Sequence, residues 1–151
     1  MKDFQEIKNE LYKQCFLFTE ERFDTVYKTI ASNKKALDNE TKSSAGDKHE
    51  TGRAMLQLEM EKASQQLVVV DEMKKVLDKI DIQKAAHIGC LGSLIVTDKA
   101  MYYLAISTGK ITINKSEFYA VSTNSPIGKQ LLGKKVGAII SFNQAVILEI
   151  Y

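Results

Sequence analysis

Asp47 and Glu50 stand three residues apart in the segment Lys42-Ser43-Ser44-Ala45-Gly46-Asp47-Lys48-His49-Glu50-Thr51-Gly52. If a helix begins there the two acids share a face, and paired carboxylates are hard oxygen donors suited to Mg2+. They do not complete an octahedral shell, so the remaining ligands must come from elsewhere. The same spacing is that of a capping box, in which Asp and a Glu three residues on satisfy the free backbone donors of a helix start. The two uses are compatible, because a cap fixes the backbone and thereby presents the acids. His49 lies between them, where a metal or general-base role competes with the commoner solvated one. Lys42 and Lys48 flank the acids and can meet phosphate or carbonyl groups of a partner.

A second constellation is His87-Ile88-Gly89-Cys90-Leu91-Gly92, a thiol between glycines with an imidazole nearby. Acyl transfer through Cys90 would require base and thiol within hydrogen-bond reach. Three residues apart on an extended or turning chain they need not meet, and a tight turn around a small apolar residue is the plainer use. A third set is aromatic: Tyr102, Tyr103, Phe118, Tyr119 and Phe142 are side chains that could line an apolar pocket. At alternating positions such residues more often pack a sheet.

Two kinds of element must position these groups. From Lys2 to Ile80 there is no Pro, and the two Gly of that stretch, at 46 and 52, flank one short segment. Before it, Phe4, Ile7, Leu11 and Phe18, then Tyr12, Phe16, Phe23, Val26, Ile30 and Leu37, form an apolar stripe with a phase drift, the mark of an amphipathic helix. After it, Leu56, Met60, Ala63, Leu67, Val70 and Leu77 repeat at heptad spacing. Two such stripes joined by a polar connection at 39–46 bury each other as an antiparallel hairpin, with Leu56 and Leu67 assigned to its core. Arms of about 35 residues reach roughly 50 Å, so the far end is expected to project.

Beyond Asp81 the period changes. Short runs rich in Ile, Val and Tyr at 94–97, 102–106, 111–113, 118–122, 136–142 and 146–151 predict strands. Ser125 as cap, Pro126 at the first helical position and Gly133 as a stop predict one short helix among them. The chain is therefore expected to be α+β: residues 1–80 a long antiparallel helical hairpin of coiled-coil type with an acidic tip near 42–52, and residues 81–151 a small antiparallel sheet domain with one short helix.

The 151 residues suffice for one domain or two small modules. Lys and Arg total 21 against 19 Asp and Glu, a balance that gives no reason for direct duplex DNA binding. Residues 81–151 are the basic half, with seven Lys against four acids. The two thiols, Cys15 and Cys90, form no CxxC pair, so neither zinc nor a disulfide framework is expected and a reducing compartment is the simpler setting. No stretch approaches the ~20 apolar residues of a membrane span, and the first ten residues are charged rather than signal-like. A cytoplasmic location, without membrane attachment, follows as the expectation.

Two motifs resemble the bacterial Gre-type transcript cleavage factors, which bind RNA polymerase. Gly46-Asp47-Lys48-His49-Glu50 is similar to that family's Gly-Asp-Leu-Ser-Glu-Asn tip, its acids matching at Asp47 and Glu50. Ser125-Pro126-Ile127-Gly128-Lys129-Gln130-Leu131-Leu132-Gly133 is similar to the family's Ser-Pro-(Ile/Leu)-(Gly/Ala)-x-Ala-Leu-(Ile/Leu)-Gly signature. Order, separation and total length agree, so the resemblance spans essentially the whole chain. It implies an FKBP-like fold for residues 81–151, which would dock on the polymerase rim while the hairpin enters the secondary channel as a monomer. The tip acids would then complete a Mg2+ site shared with polymerase, and the polymerase, not the factor, would cut the backtracked RNA at its 3′ end. Lys129, Lys134 and Lys135 near the second motif are candidates for the polymerase contact, although a solvated helix end is the commoner use of such lysines.

The sequence also departs from the family. His49 and Thr51 replace the usual Ser and Asn around the second acid, Gly52-Arg53-Ala54 replaces Ala-Glu-Tyr, Ala138 stands where an Asp follows Gly137, and the Thr-x-x-Gly opening of the first helix is absent. The alternative expectations are a channel regulator or inhibitor without cleavage activity, a coiled-coil adaptor that needs no tip acids, and, from the implied FKBP-like fold, a prolyl isomerase whose proline pocket those aromatics would line.

Overall fold

A computed structural model describes the backbone of residues 3–42 and 47–151, and the side chains of all of these except 40–42 and 47–50. The fold is α+β, a long N-terminal helical hairpin followed by a small, mainly antiparallel sheet with a short helix. Helix α1 (Phe4–Lys42) runs past Asn39, where the connection was expected to begin, because Asn39-Glu40-Thr41-Lys42 contains no Gly or Pro to stop it. Helix α2 spans Asp47–Asp78. At the start of α1, the Asp3 carboxylate accepts from the backbone N–H groups of Gln5 and Glu6 at 3.0 and 3.3 Å, satisfying two of the free donors of the first turn.

The chain forms two compact units. One comprises the described residues through Phe18 together with Lys75–Tyr151, the other Thr19–Lys74. In the second unit α1 and α2 pack through Val26, Ala63 and Val70, all buried. Glu20 and Lys74 form an ion pair at 3.2 Å, and the Lys74 ammonium lies 4.1 Å from the centre of the Phe23 ring. Leu56 and Leu67, assigned to the hairpin core, are only partly buried. Two helices alone cannot enclose a heptad stripe from all sides.

The first unit holds six strands: β1 (Leu94–Thr97), β2 (Met101–Ala105), β3 (Gly109–Ile113), β4 (Ser116–Ser122), β5 (Ile139–Ile140) and β6 (Ala145–Ile150). Their order is β3-β4-β2-β1-β6-β5. Every junction is antiparallel except β2 with β4, which run parallel and pair Tyr102 with Tyr119 and Tyr103 with Ala120. The expected strand at 136–142 shrinks to Ile139–Ile140. A turn ends it, closed by the Gln144 N–H donating to the Ile140 carbonyl, and the Phe142 N–H is taken by the Gln130 side chain.

Alternation along β2 sorts the core onto two faces of the sheet. Tyr102 and Leu104 join Ile95, Leu131, Ile140, Ala145 and Ile147 in one cluster. Tyr103, Phe118 and Ala120 belong to the other face and are equally buried. Within the same unit, the Ile106 backbone donates to Cys15 and the Tyr12 hydroxyl donates to the Leu77 carbonyl, so the ends of α1 and α2 are part of this unit's packing.

Candidate functional site

Helix α2 begins at Asp47, so Asp47 and Glu50 lie about one turn apart along its backbone. Residues 43–46 and the side chains of Lys42, Asp47, Lys48, His49 and Glu50 lie outside the described residues. The neighbouring departures Thr51, Gly52 and Arg53 are helical, and Thr51 and Arg53 are exposed. Two carboxylates fit Mg2+ by donor type and fall short of it by number. Among the described residues no group of three or more His, Cys, Asp or Glu is arranged to hold a metal ion.

The second motif folds as its residues dictate. Helix α3 spans Pro126–Leu131, with Pro126 at its first turn and Ser125 as N-cap. The Ser125 Oγ accepts from the Gly128 N–H at 3.1 Å and donates to the Ser122 carbonyl at 2.6 Å, so one hydroxyl ties β4 to α3. A Cβ on Gly128 would lie 1.9 Å from the Ser122 carbonyl oxygen, so only glycine lets α3 sit this close to the strand end. Lys129, Lys134 and Lys135 are exposed on α3 and the turn after it. They are available to a partner, and among the described residues none makes an ion pair.

The aromatic candidates separate into two classes. Tyr103 and Phe118 are fully buried. Tyr102 and Tyr119, neighbours through the parallel β2–β4 register, line an apolar cleft of about 500 Å3 with Ala100, Val121, Pro126, Ile127 and Phe142. Their ring centres are 6.1 Å apart and inclined by 38°. Burial pushes the Tyr102 phenol above its ordinary pKa, with a hydrogen bond to Asn143 acting the other way. Phe142, 64% exposed, stands at the cleft. Spacing alone did not show that Ala100, Val121 and Ile127 join these aromatics, because the sheet register brings them together from separate elements.

In the His87–Gly92 segment, Cys90 is held by Ser93. The Cys90 N–H donates to the Ser93 Oγ at 3.0 Å, and the Sγ lies 3.4 Å from that oxygen. Gly89 is structural: its N–H donates to the Lys134 carbonyl, its carbonyl accepts from Gly133, and an added Cβ would fall 2.2 Å from the Leu131 carbonyl oxygen. The loop clamps the end of α3, which accounts for both its turn and its glycine. No described helix is long and apolar enough to cross a membrane.

Comparison of the chain with protein-family models, with curated proteins and with solved structures finds no match.

Proposed function

We propose that this chain is a Gre-type RNA polymerase factor whose hairpin enters the secondary channel and stimulates the polymerase's own cleavage of backtracked RNA. The observation that carries the reading is the start of α2 at Asp47, which supports placing Asp47 and Glu50 together in the first turn of the second hairpin helix. Support also comes from the Ser125–Gly133 signature, whose capping serine, first-turn proline and close-packed glycine form a working helix start.

In this reading Asp47 and Glu50 would hold Mg2+ jointly with polymerase carboxylates, and the chemistry such an ion would supply is Lewis-acid activation of a water toward the phosphodiester. The chain's own part is to carry two hard donors on a helix and to remain docked while polymerase does the chemistry. Docking is assigned to the surface around α3, where the cleft offers apolar area for a protruding side chain and Lys129, Lys134 and Lys135 offer positive charge to an acidic partner. The protein is then an activator and not itself an enzyme, binds no duplex DNA directly, and works in the cytoplasm, where polymerase is.

The exchanged neighbours of the second acid favour a second reading, a channel regulator that binds without stimulating cleavage. Thr51 and Gly52 continue α2, so they change the surroundings of Glu50 without breaking the helix. Cleavage assays on backtracked complexes, with the wild type beside an Asp47→Ala/Glu50→Ala variant, separate the two.

A further inference from the structure

Lys8 is a buried cation without a counter-ion. It is 2% exposed, and its one hydrogen bond among the described residues is donated to the Lys84 carbonyl at 3.2 Å. An ammonium has three hydrogens, so two lack an acceptor among the described residues. No described carboxylate lies within ion-pairing distance of it. Buried charges are ordinarily paired, so an unpaired one is a feature that requires a cause. Burial pushes the Lys8 pKa down, and the Cys90 thiol and the Asp81 carboxylate act in the opposite direction.

Lys8 lines a cleft of about 560 Å3 together with Asp3, Phe4, Gln5, Ala85, Ala86, His87, Ile150 and Tyr151, all within the sheet-bearing unit. We infer that this cleft is a binding site for a small organic anion, with Lys8 supplying the charge that the ligand's phosphate or carboxylate group pairs. Two of the other polar side chains in the wall are already engaged. The Asp3 carboxylate caps α1, and the Gln5 amide donates to Asn9 and to the Ile82 carbonyl, which fixes the loop beside the cleft. His87 is exposed and lines the cleft, where its imidazole can donate to the same oxygens.

The rest of the wall selects the body of the ligand. Phe4 and Tyr151 stack with ring centres 4.0 Å apart and planes within 12°, and Ala85, Ala86 and Ile150 add apolar surface. A flat apolar group carrying one oxyanion suits such a site better than a bare inorganic ion.

Titration of the full chain with inorganic phosphate, phenyl phosphate, acetate and benzoate, followed by backbone amide NMR, tests this. Saturable shifts centred on Lys8, Ala86, His87 and Tyr151 are expected, with the aromatic member of each pair roughly tenfold tighter than the plain one. The tighter pair identifies the headgroup as phosphate or carboxylate. Lys8→Met, similar in length and uncharged, is expected to weaken binding roughly tenfold or more while raising the melting temperature of the ligand-free protein. Should that variant fail to fold, the location of the wild-type shifts decides. The inference is overturned by the absence of saturation through the millimolar range for all four probes, by shifts centred elsewhere, or by unchanged affinity in Lys8→Met.

Discussion

The Tyr12 hydroxyl donates to the Leu77 carbonyl at 3.2 Å, joining α1 to the end of α2 within the unit that also holds the sheet. Leu11 beside it is fully buried and Leu77 nearly so, at 1% exposure. Truncating either to Ala is expected to cost about 2–5 kcal/mol, read as a lower urea midpoint at unchanged slope. Leu56→Ala and Leu67→Ala should cost less than about 2 kcal/mol, because half-buried leucines leave smaller cavities. Equal losses at all four positions would contradict this distribution of the core.

Asn33 is 8% exposed, and its Nδ2 has no hydrogen-bond partner among the described residues. It follows Val26 by seven residues, on the stripe of α1 that is buried in the hairpin unit. Replacing an unsatisfied buried amide by an apolar group of similar size removes a desolvation penalty. Asn33→Leu is therefore expected to stabilise the protein by about 1–2 kcal/mol, measured by thermal unfolding, and a lowered melting temperature would show that the amide is satisfied in solution.

Gly128→Ala places a methyl group against the Ser122 carbonyl, and Ser125→Ala removes the cap below it. Losses of about 1–3 kcal/mol for the first and about 1 kcal/mol for the second are expected. Denaturant unfolding that leaves both variants as stable as the wild type would remove the case for a backbone contact at this point.

Stability should fall in alkali. Burial pushes the Cys15 thiol from 9.0 up to about 12, with the Ile106 hydrogen bond pulling the other way, and raises the Tyr103 phenol from 10.0. Below pH 9 both groups are neutral in folded and unfolded chains. Between pH 9 and about 12 the unfolded chain loses the Cys15 proton that the fold retains, at about 1.4 kcal/mol per pH unit. Lys8 works in the opposite sense. Its pKa is depressed in the fold, so only between that lowered value and 10.5 does the unfolded chain hold a proton the fold has released, and its contribution rises with pH across that window alone. Urea midpoints across this range should decline for the wild type and more shallowly for Cys15→Ala. Parallel curves would exclude the thiol as the cause.

The hairpin was legible in the sequence because the absence of Pro and the apolar repeats leave helix as the one regular structure available on either side of residues 43–46. Helix α3 was legible because Ser125, Pro126 and Gly133 act locally, each through its own backbone chemistry. The cleft was not. Tyr102 and Tyr119 become neighbours through a parallel pairing across 17 residues of sequence, and nothing local distinguishes Tyr119 at a cleft from Phe118 in the core. Lys8 was equally hidden, since its burial depends on the loop at 82–87 folding back along α1. The run at 136–142 misled for the converse reason: Val136, Ile139 and Phe142 have strand-like composition, yet all three are exposed and only Ile139 lies in a strand.

If α3 and the adjacent cleft form the docking surface, Phe142→Ala and the charge reversals Lys129→Glu, Lys134→Glu and Lys135→Glu should each leave the fold intact, since all four side chains are exposed. Polymerase affinity should fall roughly tenfold for Phe142→Ala. For the lysines it should fall less and in a salt-dependent way, as expected of rim charges. Pull-down or anisotropy measurements with core polymerase would read this, and full affinity in the combined variant would move the contact elsewhere.

The proposed function stands on Asp47 and Glu50 lending their carboxylates to polymerase. Its most direct test is transcript cleavage on stalled, backtracked complexes with Mg2+, comparing the wild type with Asp47→Ala/Glu50→Ala. Shortened transcripts are expected with the wild type. None above the polymerase background is expected with the double variant, which should still compete with the wild type for polymerase. Failure of the wild type to shorten any transcript, or equal cleavage by both proteins, would contradict it.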